Sequence, residues 1–319
     1  MIDLARVKEI FIKLKTEMQK VIVGQDPVLN LILTGLLAKG HILLEGVPGT
    51  AKTLTVKTLA QIIGAKFQRL QMTPDLMPSD IIGTNIFDQR TASFQVQKGP
   101  IFADLVLVDE INRAPAKTQS ALLECMEERQ ITIEGQLFPL PPLFMVLATQ
   151  NPLEYEGTYP LPEAQLDRFL FKGLVSYPEA KDENQILERY ETGFRSAELK
   201  NVGLESVVSL EEMQACQQAI GQVKTKPALI EYIATIVRTT RSTNEVLVGG
   251  GVRASISLLL ASKANALIEG RDFVTPDDVK LMAPPVLRHR MILKPETEIE
   301  GVTTDEILQR ILNQVKVPR

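Results

Sequence analysis

Short apolar runs alternate with helical spacing through the first 175 residues of the chain. The runs at residues 105–108 and 143–148 are continuously apolar, as expected for strands buried on both faces of a parallel sheet. Three further runs have the length of short strands, at residues 42–45, 67–70 and 169–171. Helical spacing lies between the runs, at residues 52–63 and 117–129. This alternation predicts an α/β fold with a parallel five-stranded sheet.

Two segments interrupt the alternation, at residues 86–96 and 130–140. Each has polar turn residues between two β-prone arms, which is typical of a β-hairpin. We therefore expect two hairpins inserted in the α/β core. Their spacing leaves open whether they contact substrates and partners or are ordinary surface excursions.

The strand signal fades after residue 175, and helical periodicity replaces it. Ser209 and Glu212 form the pattern of a capping box at the start of a helix. Pro227 occupies the first position of a second helix, and Thr275 precedes a third. Residues 254–268 have amphipathic helical spacing. We predict an α/β domain over residues 1–175 and an all-helical domain over residues 176–319.

Composition narrows the class of protein. The 319 residues are 45% hydrophobic and 23% charged, which is ordinary for a globular chain. The net charge of −4 gives no global attraction to phosphate backbones or anionic membranes, and the absence of Trp makes a base-stacking platform unexpected. Two cysteines and two histidines are too few for a disulfide framework or most histidine-based metal sites. Without a secretory signal or a membrane-length apolar run, we expect a cytoplasmic protein.

A phosphate-binding loop follows the first predicted strand. Residues 46–53 read GVPGTAKT, which matches G-x-x-x-x-G-K-[ST] except that Ala51 replaces a glycine. The two glycines allow successive N–H groups to point at phosphate oxygens, and the following helix aims its N-terminus at the same anion. Lys52 supplies positive charge to the β- and γ-phosphates, and the Thr53 hydroxyl is a ligand for Mg²⁺. We expect Ala51 to enter the helix with a negative φ, where its methyl group costs little.

Two acids follow the strand predicted at residues 105–108. In this fold class the carboxyl end of a buried strand lies beside the phosphate loop. Asp109 is placed to hold Mg²⁺ through its water shell, and Glu110 is placed to polarise the attacking water as general base. Alone, the pair would more often be a strand end entering a loop. Together with the phosphate loop, it indicates a nucleoside triphosphatase.

Three polar residues extend the candidate site, and spacing alone leaves their roles open. Asn151 follows the strand predicted at residues 143–148, where it could contact the γ-phosphate or form an ordinary Asn-Pro turn. Arg168 precedes the fifth predicted strand, and an arginine from a neighbouring subunit can stabilise transition-state charge, although a surface ion pair is the commoner outcome. Arg253 stands near the start of a helix, where it could simply be solvated.

Several strings in the chain resemble the MoxR family of AAA+ ATPases. They are IVGQ (22–25), GVPGTAKT (46–53), LVLVDEINRAP (105–115), ATQNP (148–152), LPEAQLDRF (161–169) and LRHRMIL (287–293). The resemblance covers nearly the whole chain, and alanine at position 51 is usual in loops of this family. It implies a P-loop AAA+ core with a helical lid. It also implies rings, commonly hexamers, that bind ATP between subunits and act as chaperone-like machines. Clients often carry von Willebrand factor A domains, and some members assist metal insertion.

The resemblance also implies roles for single residues. Asn151 matches sensor 1, Arg168 matches the arginine finger, and Arg253 matches the sensor 2 arginine that reaches back from the lid. The usual lid string has Ser-Pro before that arginine, whereas this chain has Gly251 and Val252. The hairpins at residues 86–96 and 130–140 resemble the helix-2 insert and the hairpin that precedes sensor 1. The implied nucleotide-binding residues are Val23, Gly24, Gly46, Val47, Pro48, Gly49, Thr50, Ala51, Lys52, Thr53 and Leu54.

The leading hypothesis is a Mg²⁺-dependent ATPase that remodels, matures or activates protein partners. Lys52 and Arg253 would stabilise charge within one chain, and Arg168 would act across the subunit interface. Three alternatives stay open: a nucleic-acid-dependent AAA+ motor, a magnesium-chelatase-like ATPase subunit, and a nucleotide-controlled binding module with negligible turnover. A motor would need basic hairpin tips, but only Arg90 in the first hairpin fits, and the second tip carries Glu134. Protein clients are therefore favoured over nucleic acid.

Overall fold

The computed structural model describes residues 2–90, 92–152, 158–195 and 199–318. The helices are α1 (Leu4–Gln19), α2 (Asp26–Leu37), α3 (Lys52–Ile62), α4 (Pro78–Ile82), α5 (Ala116–Glu128), α6 (Glu163–Leu166), α7 (Ala180–Glu191), α8 (Leu210–Ala219), α9 (Pro227–Ser242), α10 (Val252–Ile268), α11 (Pro276–Leu287), α12 (Pro295–Ile299) and α13 (Thr304–Gln314). The strands are β1 (Ile42–Gly46), β2 (Phe67–Gln71), β3 (Gly83–Asp88), β4 (Ser93–Lys98), β5 (Leu105–Asp109), β6 (Gln130–Ile133), β7 (Gln136–Pro139), β8 (Met145–Gln150), β9 (Phe171–Val175), β10 (Val246–Val248) and β11 (Ile292–Leu293). Short 3₁₀ helices cover Ile111–Arg113, Leu199–Val202 and Ile220–Gln222.

The central sheet has five parallel strands in the order β2-β5-β8-β1-β9, which confirms the predicted α/β fold. Strands β8 and β9 each begin two residues later than their apolar runs predict. Thr149 and Gln150 still pair with Leu44 and Glu45 of β1. Backbone pairing, and not hydrophobicity, therefore sets the end of β8, and it carries polar side chains to the edge of the sheet.

Apolar side chains pack on both faces of this sheet. Leu105 and Leu107 of β5 belong to a buried cluster that also contains residues of α1, α2, α3 and the C-terminal helices. Val106 and Val108 point to the opposite face and pack with residues of α5. The first cluster crosses residue 175 without a break, so the division into domains at residues 175 and 176 stays a prediction.

Both predicted hairpins are present. Strands β3 and β4 pair antiparallel from Gly83 opposite Lys98 to Asp88 opposite Ser93, and β6 pairs antiparallel with β7. In the first hairpin, the exposed rings of Phe87 and Phe94 meet edge to face at 5.3 Å. The second hairpin is anchored, because side chains of β6 are buried in the cluster that holds α5.

The C-terminal part begins its helices where the sequence predicts. Ser209 Oγ accepts a hydrogen bond from the Glu212 N–H at 3.2 Å, and α9 begins at Pro227. The expectation that this part is entirely helical is wrong in one place, because β10 and β11 form an antiparallel pair. Strands of two and three residues are too short to leave an alternating pattern in the sequence. Among the described residues, no helix combines the length and apolar character that crossing a membrane requires.

Candidate active site

A cavity of about 510 Å³ lies at the carboxyl ends of β1, β5 and β8. It brings together residues that the sequence predicts from four separate segments. Those lining it are Val23, Gly46, Pro48, Gly49, Thr50, Ala51, Lys52, Thr53, Leu54, Asp109, Glu110 and Asn151. Two predicted nucleotide-binding residues, Gly24 and Val47, do not line the cavity. Gly24 lies against Asp182 of α7.

The phosphate-binding loop connects β1 to α3. A Cβ atom at Gly46 would lie 2.3 Å from the Val175 carbonyl oxygen, so only glycine fits beside β9 at this point. Lys52 Nζ donates hydrogen bonds to the carbonyl oxygens of Gly46 and Val47, at 2.6 and 2.9 Å. Burial lowers the pKa of Lys52 below its ordinary value, and the nearby Asp109 carboxylate offsets only part of this effect. The lysine is thus partly desolvated and aimed into the curve of the loop, where phosphate oxygens could replace the two carbonyl groups.

Ala51 adopts a left-handed conformation with φ +60° and ψ 17°. The expectation of a negative φ is therefore wrong. Helix α3 begins at Lys52, so Ala51 is the residue before the helix and not its first member. An L-residue in this region costs about 1–2 kcal/mol relative to the right-handed conformation, because Cβ crowds the backbone. The departure from glycine in the motif carries a strain that the sequence does not reveal.

Asp109, at the end of β5, is buried and already engaged with side chains. Arg69 Nε donates to Asp109 Oδ2 at 2.6 Å, and Thr149 Oγ1 donates to Oδ1 at 3.2 Å. Sequence reasoning missed Arg69, because its proximity depends on the pairing of β2 with β5. The pairing of adjacent strands is the signal that could have found it.

Hard oxygen donors suited to Mg²⁺ line the same cavity, namely the Thr53 hydroxyl and the Asp109 carboxylate. The described part of the chain contains no group of three or more His, Cys, Asp or Glu residues able to hold a metal ion. Magnesium in phosphate sites keeps several waters and takes one or two protein ligands besides phosphate oxygens. The donor set therefore fits Mg²⁺ that arrives with a nucleotide.

Glu110 follows β5 in a left-handed conformation with φ +58°. Its Oε2 accepts hydrogen bonds from Gln71 Nε2 and Arg113 Nη1, both at 3.0 Å. The backbone N–H of Glu110 donates to Thr149 Oγ1 at 2.9 Å, so the same threonine touches both acids. Such backbone strain in a non-glycine residue is typical of functional sites and fixes where the carboxylate points.

The far end of the cavity is apolar. Its apolar lining residues are Val21, Ile22, Val23, Ile186, Tyr190 and Phe194. The rings of Tyr190 and Phe194 meet edge to face at 5.7 Å. Only Val23 was predicted here, because helix α7 gives no motif that points to a nucleotide. An apolar slot lined in this way beside a phosphate loop is suited to the base of a nucleotide.

Arg168 and Arg253 lie outside this cavity, and both contact the carboxylate of Glu127. They line a second cavity of about 150 Å³ together with Glu127, Asp167 and Arg290. Arg168 Nη2 lies 3.2 Å from Glu127 Oε2, and Arg253 Nη2 pairs with the other oxygen of the same carboxylate. Arg253 therefore does not line the nucleotide cavity of its own chain in this structure, and its role as sensor 2 stays a prediction.

Arg290 fixes the turn that carries Arg168. Its Nε donates to Asp167 Oδ1 at 2.6 Å, and Nη2 donates to the Phe169 carbonyl oxygen at 2.8 Å and to Ser257 Oγ at 3.2 Å. Arg290 is almost fully buried. The LRHRMIL string thus contributes a buried arginine that sequence reasoning did not assign, and that ties the Arg168 turn to helix α10.

Known proteins match the chain over almost its full length. The model of the ATPase family associated with various cellular activities (AAA) matches residues 41–171, and that of the AAA lid domain matches residues 238–311. Bacillus subtilis YeaC is 47% identical over 94% of this chain and 92% of its own. The chaperone MoxR1 of Mycobacterium tuberculosis is 44% identical over 95% of this chain and 81% of its own. A crystal structure of a Cytophaga hutchinsonii protein assigned as an ATPase gives a TM-score of 0.91 at 42% identity, covering 99% of this chain and 97% of that one.

Proposed function

The chain belongs to the MoxR family of AAA+ ATPases, and we propose that it is a Mg²⁺-dependent ATP hydrolase that remodels, matures or activates protein partners. One observation carries the catalytic part of the proposal. Lys52, Thr53, Asp109 and Glu110 converge on one cavity that also has an apolar slot. The first three suit a triphosphate with its metal, and the fourth suits the activation of water.

The residues of the cavity divide the reaction between them. Loop N–H groups and Lys52 would bind the β- and γ-phosphates, and Thr53 and Asp109 would hold Mg²⁺. When bound, the ion neutralises charge that develops on the phosphate oxygens. Glu110 accepts a proton from a water molecule as the oxygen of that water attacks the γ-phosphorus. The bond between the γ-phosphorus and the oxygen that bridges to the β-phosphate breaks, which leaves ADP and phosphate. Asn151 orients that water or the γ-phosphate from the end of β8.

A neighbouring chain would complete the site. Within the described residues, the cavity contains Lys52 and Arg69 as its cationic lining, while Arg168 and Arg253 face a separate surface. Arginine supplied across an interface stabilises the transition state of phosphoryl transfer. We infer a ring, hexameric as in the family, in which both arginines of one chain meet the ATP of the next.

The client side of the proposal rests on likeness and charge. The Mycobacterium tuberculosis relative is named a chaperone. The net charge of −4 opposes a phosphate backbone as the client, and the exposed Phe87 and Phe94 of the first hairpin suit apolar protein surface. We propose protein clients in the cytoplasm, including proteins with von Willebrand factor A domains.

Phosphate release and ATP binding, measured on the same preparations, test this function. We expect Lys52→Ala to lose nucleotide binding and Glu110→Gln to bind ATP as the unaltered chain does. Turnover by Glu110→Gln should fall by about two to four orders of magnitude, the usual contribution of a general base. Full turnover by Glu110→Gln would reject the assignment of the base. Stimulation of ATP hydrolysis by single-stranded DNA and not by protein would favour a nucleic-acid motor. ATP binding without turnover in the assembled ring would favour a binding module.

A further inference from the structure

Glu127 lies in the last turn of α5 and joins the two arginines that the nucleotide cavity lacks. Its Oε2 contacts Arg168 Nη2 at 3.2 Å, and its Oε1 accepts a hydrogen bond from Arg253 Nη2. The three residues come from three distant parts of the chain: α5, the turn before β9, and the start of α10. One carboxylate therefore holds two guanidinium groups from both halves of the protein at one place.

The charges around Glu127 require such a bridge. Arg168, Arg253 and Arg290 carry three positive charges beside the two negative charges of Glu127 and Asp167. Arg290 is paired with Asp167 and with buried carbonyl groups, and Arg253 Nη1 lies 3.7 Å from the other oxygen of Asp167. Arg168 pairs with Glu127, so Glu127 is the carboxylate that contacts both Arg168 and Arg253. Without Glu127, Arg168 would lose this counter-charge and Arg253 would keep only the longer contact to Asp167, so the two like charges would repel each other. The hydrogen bond from Arg253 holds the pKa of Glu127 below its ordinary value, so the carboxylate stays charged at neutral pH.

We propose that Glu127 is a positioning residue for ATP hydrolysis. It holds Arg168 and Arg253 side by side until the γ-phosphate of ATP bound to a neighbouring chain replaces its carboxylate as the partner of the two arginines. This inference rests on the proposed function. A carboxylate and a terminal phosphate present oxygens to guanidinium groups in similar ways. The side chains of Arg168, Arg253 and Glu127 are 28%, 49% and 35% exposed, so a neighbour can reach them.

The exchange has a clear kinetic consequence. The surface around the two arginines carries one net positive charge and would attract the phosphate that displaces Glu127. In Glu127→Ala, Arg168 and Arg253 lose the carboxylate that they share, and phosphoryl transfer proceeds with both arginines out of position. Misplacement of catalytic groups costs up to about a hundredfold in rate, so we expect kcat to fall about ten- to hundredfold. KM for ATP should change little, because nucleotide binding belongs to the cavity of the other chain.

Mixing of subunits separates positioning from folding. In rings assembled from Glu127→Ala and Glu110→Gln chains, an intact cavity meets an intact pair of arginines wherever the two types adjoin in the right order. Turnover per Glu127→Ala chain should therefore rise above that of the Glu127→Ala ring alone. The double variant Glu110→Gln, Glu127→Ala as the partner should give no rise. Glu128→Ala, which removes the same charge one residue further along the exposed end of α5, should keep the turnover of the unaltered protein.

The outcomes separate this inference from the proposed function. If the unaltered chain hydrolyses no ATP when assembled, the proposed function fails. If it hydrolyses ATP and Glu127→Ala matches it in kcat, the positioning role of Glu127 is overturned. The role is also overturned if kcat falls without any recovery on mixing, since a damaged fold would explain that result. Should Glu127→Ala fail to fold, Glu127→Gln, which keeps the shape but not the charge, undergoes the same comparison.

Discussion

Arg69 Nε lies 2.6 Å from Asp109 Oδ2, so a cation of the chain itself occupies the carboxylate proposed to hold Mg²⁺. Arg69 comes from β2 and is half exposed, whereas Asp109 is nearly enclosed at the end of β5. If Asp109 holds Mg²⁺ as proposed, Arg69 would compete with the metal for this carboxylate, and the strength of the ion pair would enter the apparent affinity for Mg²⁺.

Arg69→Ala should lower the Mg²⁺ concentration that gives half-maximal ATPase activity. Ion pairs with an exposed partner contribute about 0.2–1 kcal/mol, so the shift should be at most about fivefold. The measurement is phosphate release at saturating ATP over a series of Mg²⁺ concentrations. Arg238→Ala, which removes an exposed arginine paired with Glu231 on α9, is the matched control and should leave the curve in place. An unchanged or raised half-saturation point for Arg69→Ala would contradict the competition.

Arg168→Ala should keep ATP binding and lose turnover by about a thousandfold or more, the range reported for arginines supplied across an interface. We expect ATP binding to be retained because Arg168 lies outside the nucleotide cavity of its own chain. Activity should reappear when Arg168→Ala is mixed with Glu110→Gln, since each type supplies what the other lacks. Sites shared between chains would lose their support if mixing restored nothing.

Ala51→Gly should raise the free energy of unfolding by about 1 kcal/mol, because glycine relieves the positive φ at this position. Urea denaturation of the nucleotide-free protein measures this free energy of unfolding. Ala234→Gly within α9 is the control with the opposite sign, and should lower stability by about 1 kcal/mol through the poor helix propensity of glycine. Equal losses in both variants would show that Ala51 is not strained.

Stability should fall with acid partly through His41. Burial lowers the pKa of this residue to about 3, and its Nδ1 accepts a hydrogen bond from the Val146 N–H at 2.9 Å while Nε2 donates to the Met126 carbonyl oxygen. The folded state thus resists a proton that the unfolded chain binds near pH 6.5. The contribution is complete above pH 6.5 and is lost as the pH falls towards 3.

His41→Gln provides the test of that pH dependence. The variant should be less stable at pH 7, because it loses part of the buried hydrogen-bonding. Between pH 6 and 4 its unfolding free energy should fall less steeply, by up to about 1.4 kcal/mol per pH unit. Carboxylates contribute equally to both proteins and cancel in the difference. Parallel pH profiles would mean that His41 does not resist protonation in the folded state.

The residues of the cavity that are close in sequence were predictable, and those that depend on long-range packing were not. The loop at residues 46–53 and the acids Asp109 and Glu110 are encoded by local strings at strand ends. Arg69 reaches the site only because β2 pairs with β5. At the second cavity, Glu127 contacts Arg253 although the two residues are 126 positions apart in the chain. Backbone angles were equally hidden, since nothing local indicates that Ala51 precedes its helix.

The buried hydrogen bonds of Arg290 have a consequence for how this protein can be altered. They join Asp167 and Phe169, on either side of Arg168, to Ser257 in the helix that also carries Arg253. The surface that we propose to face a neighbouring chain is therefore formed by both the first and the C-terminal parts of the polypeptide. A chimera that joins the first half of this chain to the helical half of a relative would inherit every nucleotide motif. It would assemble a working interface only if the incoming half also supplied matching partners for Glu127 and Asp167.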